Sequence, residues 1–436
     1  MNRIQEFFQF KERETNFKQE TIAGMTTFLA LAYILIVNPA ILSQAGMDKG
    51  AVFTATALTI IFGTLMIGLI ANYPIGIAPS MGLNSFFTFA VVNTMGIPWE
   101  TAITGVFIAA ILFTILSLLK IREKIINAIP QNLKHAVSAG IGFFIAFIGL
   151  KNSSLIVSNP DTIVAFGDLT DASTLLAVFG FIITIIMLAY GWKGAIFYGI
   201  IITTVVGLLT GMIAKPDAIV GGIPSLEPTL GVALQPENLA NAVSPTVLPV
   251  IFTFLFVAFF DTAGTLIAIA SQAGLMKDNK VPNAGRALLS DSTASMVGAA
   301  LGTSTTASMV ESSAGIGAGG RTGFTAVIMS LCFAIAIFFE PVLSIVPITL
   351  TAPALIIVGA MMASEAKAID WTRIEIAIPS FITILMMPLT SSVATGIALG
   401  FILYPITMIA SKQHKDMHPM MYVLFVLFIP YLIYSA

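Results

Sequence analysis

The sequence predicts an all-α polytopic membrane protein whose fourteen spans form two inverted seven-span repeats. Three observations lead there. Of the 436 residues, 57% are hydrophobic and only 10% charged, and the mean hydropathy is +0.96, far outside the range of soluble domains. Apolar runs of about 20 residues, enough to cross roughly 30 Å of hydrocarbon as a helix, recur from Thr21 almost to the C-terminus. The second half of the chain also repeats landmarks of the first in the same order. Runs this long and unalternating are helices, because in lipid only helices and closed barrels satisfy every backbone group, and barrel strands alternate.

The elements follow in order. Residues 1–20 are a charged, amphipathic segment, expected in the cytoplasm. The apolar run after it is too long and wrongly flanked for a cleaved signal peptide, so it is the first span. Spans are expected at 21–44, 50–71, 74–95, 99–120, 132–150, 172–190 and 193–213, then at 245–271, 286–302, 303–320, 322–340, 345–363, 373–388 and 391–410. Residues 417–436 add a C-terminal hydrophobic segment that either crosses or lies in the interface. With the N-terminus inside, all of the 20 basic residues except Lys49, Lys151 and Lys215 fall on the cytoplasmic side, as the positive-inside rule requires of a multi-pass protein of the cell membrane.

The duplication is visible in "IPQNLKHAVSAGIGFFIAFIGL" (129–150) and "VPITLTAPALIIVGAMMAS" (346–364), which share an opening proline and a late small residue. Each precedes a polar gap and two apolar runs joined by a short turn, "LAYGWKGA" (188–195) and "MPLTSSVATG" (387–396). Seven is odd, so the second copy enters the membrane from the opposite side. Inverted repeats are a transporter signature, with the substrate site near the midplane where the repeats meet.

Two spans are unlike the rest. "YPIGIAPSMGLNSFFTFAVV" (73–92) carries Pro74, Gly76, Pro79 and Gly82 where a plain helix would carry leucines, so its first half is expected to be extended and a short helix to begin near Gly82. Its counterpart seven spans on, "GTSTTASMVESSAGIGAGG" (302–320), is rich in hydroxyls and glycines. Interrupted spans at corresponding positions point to a transport site, with half-helix N-termini supplying free N–H donors.

Two carboxylates sit in this region: Glu311 in the tenth span and Asp261 within the eighth, "FLFVAFFDTAGTLIAIA" (254–270). An acid at that depth is costly unless paired, solvated or protonated, so it faces an interior cavity and is suited to exchanging protons. Asp261 and Glu311 are therefore the candidate substrate-binding and proton-coupling residues, with Asn84 of "GLNSF" as a third substrate contact. The structural alternatives are a helix cap for Glu311, a helix-terminus pairing for Asp261 and an interhelical hydrogen bond for Asn84. Asp291 reads as a cap near the start of its span, Asn38–Pro39 as a kink with a satisfying side chain, and Arg321 as an orientation anchor. The glycines at 315, 317, 319 and 320 read as close helix packing, since no P-loop lysine follows. With one cysteine, Cys332, and three histidines (His135, His414, His418) without ligand spacing, neither a metal site nor a cofactor is expected.

At these residues a family resemblance appears. "FFDTAGTL" (259–266), "GTSTT" (302–306), "ESSAGIGAGGRTG" (311–323), "APSMGLNSFF" (78–87) and "AYILIVNPAIL" (32–42) resemble the AzgA-like purine permease branch of the nucleobase–cation symporter 2 (nucleobase:ascorbate transporter) family, from about Phe17 to Tyr422. The resemblance implies a core domain (21–120 and 245–340) and a gate domain (132–213 and 345–410), with short antiparallel strands in the broken third and tenth spans. It implies base recognition by the acids on spans eight and ten, Asp261 and Glu311. The uracil and xanthine branches often carry Glu at the first position and a histidine one turn later; here Asp261 and Thr265 stand there, so the histidine's role does not transfer, and the shorter acid suits a bicyclic ligand. Two carboxylates accept from purine N–H edges, and Phe259, Phe260 or Phe86 is available to cover a face.

The expected function is thus uptake of hypoxanthine, guanine or adenine by proton symport with alternating access. The rival is an anion or other solute carrier of the same fold, which would need a cationic site, and no Lys or Arg lies mid-span. An intramembrane enzyme would need a Ser–Lys dyad, paired protease aspartates or histidine-rich ligands, none of which is evident. A channel would not need inverted broken spans with buried acids. Expected partners are the purine, protons and the lipid bilayer, with no nucleic acid; monomer and homodimer stay open.

Overall fold

The computed structural model describes residues 3–119, 129–272, 275, 283–413 and 417–435; at 259–264, 267–268, 270–272, 427, 430–431 and 433–435 it describes the backbone alone. Among the described residues, eight helices are long and apolar enough to cross a membrane, with shorter apolar helices at Ala195–Leu209, Leu248–Ala258 and Ile374–Leu389. The first repeat runs α1 (Phe17–Leu31), α2 (Ile34–Leu42), α3 (Lys49–Met66), β1 (Ile77–Pro79), α4 (Met81–Ser85), α5 (Trp99–Leu118), α6 (Gln131–Asn152), a hairpin of β2 (Ile156–Asn159) and β3 (Ile163–Phe166), α7 (Ala172–Ala189) and α8 (Ala195–Leu209). The second runs α9 (Leu248–Gln272), α10 (Ala284–Leu301), β4 (Thr306–Ser308), α11 (Ser312–Gly317), α12 (Gly323–Ala336), α13 (Ile348–Ala363), α14 (Ile374–Leu389) and α15 (Val393–Ala410), with α16 (Met420–Ser435) after it.

Span one is two helices, with the ladder interrupted at Ala32–Tyr33 and Pro39 inside the second. Asn38 beside that proline donates to Thr56 Oγ1 (2.7 Å) and Thr303 Oγ1 (2.9 Å). It therefore ties span one to span two and to the start of the tenth-span segment, the structural part the sequence assigns to it.

The broken segments complete each other. β1 and β4 pair antiparallel, with Ala78 opposite Ala307. Ser80 N–H donates to Thr305 O (3.0 Å), and Met309 N–H donates to Gly76 O (2.9 Å). Exchanging Ala78 with Ala307 carries each of these bonds onto the other, a local two-fold relation. Pro74, Gly76 and Pro79 deny the first segment a helix, and buried backbone donors must find partners, so each extended segment takes the other as its partner. The same relation extends to the anchors: Ile77 N–H donates to Thr64 Oγ1 on α3 (3.1 Å), and Thr306 N–H donates to Ser295 Oγ on α10 (2.9 Å). Asp291 differs from expectation. It lies fully buried on α10, well past the helix start, and its Oδ1 accepts from Thr306 Oγ1 (3.2 Å), so it fastens the strand instead of capping its own helix.

Packing falls into two groups. α1, α3, α5, α9, α10, α11 and α12 pack among themselves, as do α6, α7, α8, α13, α14 and α15. The groups meet where α4 and α9 touch α6, α2 touches α13, and α1 touches α8. Small residues set the closest approaches. A Cβ on Gly315 of α11 would lie 1.9 Å from Thr27 Oγ1 and 2.6 Å from Ala23 O of α1, which supports the packing reading of this glycine. Alanine would gain up to about 1 kcal/mol of helix propensity there, but overpacking costs about 1–3 kcal/mol. Gly315→Ala is therefore expected to lower the thermal midpoint of the detergent-purified protein, and an unchanged or raised midpoint would show that α1 gives way freely.

Candidate functional site

A cavity of about 510 Å³ lies where the two packing groups face each other, within the range of about 300–1,000 Å³ typical of small-molecule sites. From the first group come Tyr33, Ser80, Gly82, Thr265, Ser308 and Glu311. From the second come Ser138 of α6, Met361 of α13 and Glu365 just after it. The broken spans supply most of the first wall because both strand-to-helix junctions, Ser80–Gly82 and Ser308–Glu311, open onto the space. Gly82 also lets its segment pack close against α6: a Cβ there would lie 2.5 Å from Ile141 Cγ2.

Glu311 stands at the N-cap position of α11, but its side chain makes no capping bond to that helix. Its Oε1 instead accepts a 2.7 Å hydrogen bond from the Tyr33 hydroxyl, which reaches across from the break in span one. The helix behind it has only 6 residues, so little macrodipole is available to hold the acid. The hydroxyl–carboxylate contact is a charge-assisted hydrogen bond that holds it. The sequence alone gives Tyr33 no role of its own; its one signal is a place within the quoted stretch AYILIVNPAIL (32–42).

The other candidates divide. Asp261 lies on α9 one turn before Thr265, and residues four apart share a helix face; its side chain, like those of Phe259 and Phe260, lies outside the described residues. Asn84 does not line the cavity. It is fully buried and its amide donates to Asn38 Oδ1, joining the Asn38–Thr56–Thr303 network behind the wall. The reason is rotational: Asn84 follows cavity-lining Gly82 by two positions, about 200° around a helix. Phe86 is likewise turned into the core, edge-on to Phe254 at 5.2 Å. Arg321 donates through one guanidinium nitrogen to Ile316 O (2.9 Å) and Gly320 O (2.8 Å), closing the C-terminal end of α11.

At the opposite wall Glu365 accepts a 2.8 Å contact from His135 Nδ1 of α6, both side chains partly exposed. Nothing in the sequence marks either as a site residue. They lie far apart along the chain, and only the packing of α6 on α13 brings them together. Among the described lining residues no Lys or Arg appears, and among the described residues no cluster of His, Cys, Asp or Glu has metal-site geometry.

Comparison with known proteins places this architecture. A family profile described as "Permease family" (Xan_ur_permease) matches residues 18–399. "Guanine/hypoxanthine permease PbuG" of Bacillus subtilis is 52% identical over 98% of this chain and 99% of its own. "Adenine permease AdeP" of Escherichia coli is 40% identical over 98% of this chain and 95% of its own. Among solved structures, the transmembrane domain of a cyanobacterial bicarbonate transporter, BicA, superposes with a TM-score of 0.67 at 18% identity, covering 87% of this chain and 97% of that one, a likeness of fold alone. The extended match to the profile and to these full-length relatives makes the chain a multi-pass membrane transporter that belongs to the permease family.

Proposed function

We propose that the chain takes up purine nucleobases (hypoxanthine and guanine, with adenine as a further candidate) by proton symport across the cell membrane, its N-terminus in the cytoplasm. The observation that carries this reading is Glu311, a carboxylate held by Tyr33 at the wall of a cavity between two packing groups. A neutral, planar base with N–H edges is a natural partner for a fixed carboxylate acceptor. Relatives named as guanine/hypoxanthine and adenine permeases, aligned over nearly their full length, support the same class of cargo. In this reading the fourteen spans form two inverted repeats, with core (21–120, 245–340) and gate (132–213, 345–410) domains moving against each other across the cavity. Asp261 and Glu311 bind the base and carry the proton, and Asn84 supports the wall from behind through its bond to Asn38.

An anion carrier is disfavoured by the lining. Glu311 and Glu365 both face the space, with no cationic side chain among the described lining residues, so an anionic cargo would meet like charge. The test is uptake of radiolabelled hypoxanthine in proteoliposomes. Competition by unlabelled guanine and adenine, with accumulation driven by an inward proton gradient at zero sodium, is expected. Accumulation that follows a sodium gradient and ignores a pH step would remove proton coupling, and bicarbonate or sulfate uptake without purine uptake would favour the anion reading.

A further inference from the structure

We propose that Tyr33 is a positioning residue for base recognition: its hydroxyl anchors one oxygen of the Glu311 carboxylate and so biases which purine edge the site accepts. This rests on the reading of Glu311 as the base acceptor given above. Three features of the molecule carry the inference. Tyr33 is fully buried yet lines the cavity. It stands in the interruption between α1 and α2, where its own carbonyl accepts from Ile36 N–H (3.0 Å) and Val37 N–H (2.9 Å) and thereby fixes its backbone. Its hydroxyl donates to Glu311 Oε1 at 2.7 Å, a bond between the first repeat and the second.

A glutamate at the mouth of a six-residue helix has three rotatable side-chain bonds, and the Tyr33 bond restricts them. Once one carboxylate oxygen is anchored to a buried phenol, the directions open to the other narrow, and the acceptor geometry offered to the cavity narrows with them. That matters because the bases differ at the edge concerned. Hypoxanthine and guanine place a ring N–H beside a carbonyl, whereas adenine places an exocyclic amine beside an unprotonated ring nitrogen. A fixed acceptor separates these patterns, and a swivelling one accommodates both, since discrimination comes from leaving the wrong edge's polar groups unpaired. A phenol suits this role, because in a buried setting it packs as a ring and supplies one directed O–H.

The test is Tyr33→Phe, which keeps the ring and deletes the donor. Uptake is measured in proteoliposomes per molecule of transporter, with inhibition constants for hypoxanthine, guanine and adenine, alongside Glu311→Gln. The expected result is a KM for hypoxanthine raised about 10-fold, the size of one lost hydrogen bond to a charged group. The ratio of inhibition constants between hypoxanthine and adenine should narrow, and the maximal rate should hold. A lower maximal rate with KM and all ratios unchanged would make Tyr33 a packing residue and overturn the proposal. Should Tyr33→Phe not reach the membrane, a ring-fluorinated tyrosine at position 33 is nearly isosteric and alters only the donor; altered ratios support the proposal and unaltered ratios overturn it. Glu311→Gln separates the two levels. Wild-type constants in Glu311→Gln would overturn the site reading and this inference together, whereas a defective Glu311→Gln beside a wild-type Tyr33→Phe would overturn this inference alone.

Discussion

Glu311→Gln is expected to abolish accumulation of labelled hypoxanthine while the protein still reaches the membrane in normal amount. The amide keeps the shape of the side chain and an oxygen able to accept from the Tyr33 hydroxyl, so the cavity wall persists. What changes is the face turned to the ligand, where an acceptor becomes partly a donor and the negative charge disappears. Losing a hydrogen bond to a charged group costs about 1.5–3 kcal/mol, a 10- to 150-fold weakening of binding. Because the proposed proton carrier is lost as well, concentrative uptake should vanish even at substrate levels that restore occupancy. Asp261→Asn is expected to behave alike, from its place one turn before cavity-lining Thr265 on α9. Counterflow and gradient-driven uptake, both normalised to membrane abundance, distinguish the two losses. If both variants accumulate hypoxanthine at the wild-type rate, neither acid belongs to the site.

Much of this arrangement is legible in the chain because membrane helices are long and lipid forbids unsatisfied backbone. The apolar runs locate the helices to within a few residues, and the Pro74–Gly82 and Gly302–Gly320 stretches locate the breaks. Glu311 stands out because an acid in such a setting is costly. What the sequence hides are contacts between repeats. The Asn84 amide reads as a ligand contact from its place after Gly82, but one further half-turn aims it at Asn38. Tyr33 and Thr306 read as ordinary residues until pairing brings Glu311 to the first and Asp291 to the second. His135 and Glu365 are 230 positions apart, and no local periodicity joins them. Side chains that bridge distant elements follow from tertiary packing, which a window along the chain cannot register.

The boundary of the first span shows the same limit and carries the second large effect. The hydrophobic run starts at Thr21, which leaves Glu20 with the charged N-terminal segment, yet α1 begins at Phe17 and Glu20 is fully buried. Its carboxylate lies against the start of α12. Oε1 accepts from Arg321 N–H (2.9 Å), and Oε2 accepts from Thr322 N–H (3.3 Å), Thr325 N–H (3.2 Å) and Thr325 Oγ1 (2.6 Å). The Arg321 and Thr322 N–H groups lie at the helix entry, where intrahelical acceptors are lacking, and Thr325 N–H shares the carboxylate with Thr322 O (3.2 Å); an acid from the other repeat meets them at the favourable end of a helix of 14 residues. Arg13 completes the clasp by donating to Asn72 O and Arg321 O, both at 2.8 Å. Glu20→Ala removes the carboxylate acceptor of the Arg321 and Thr322 N–H groups and of the Thr325 hydroxyl at once, and each buried donor left unsatisfied costs about 1–3 kcal/mol. Together that is a large share of the roughly 5–15 kcal/mol that holds a folded protein together. Glu20→Ala is therefore expected to lose most of its membrane abundance and to melt well below the wild type in detergent. Glu20→Gln, which retains acceptor capacity on one atom, should fall between the two. Since none of the carboxylate's partners named above lines the cavity, the molecules that do fold should keep the wild-type KM for hypoxanthine. A Glu20→Ala protein of normal abundance and melting temperature would mean that the α12 donors find other partners and that the clasp carries no stability.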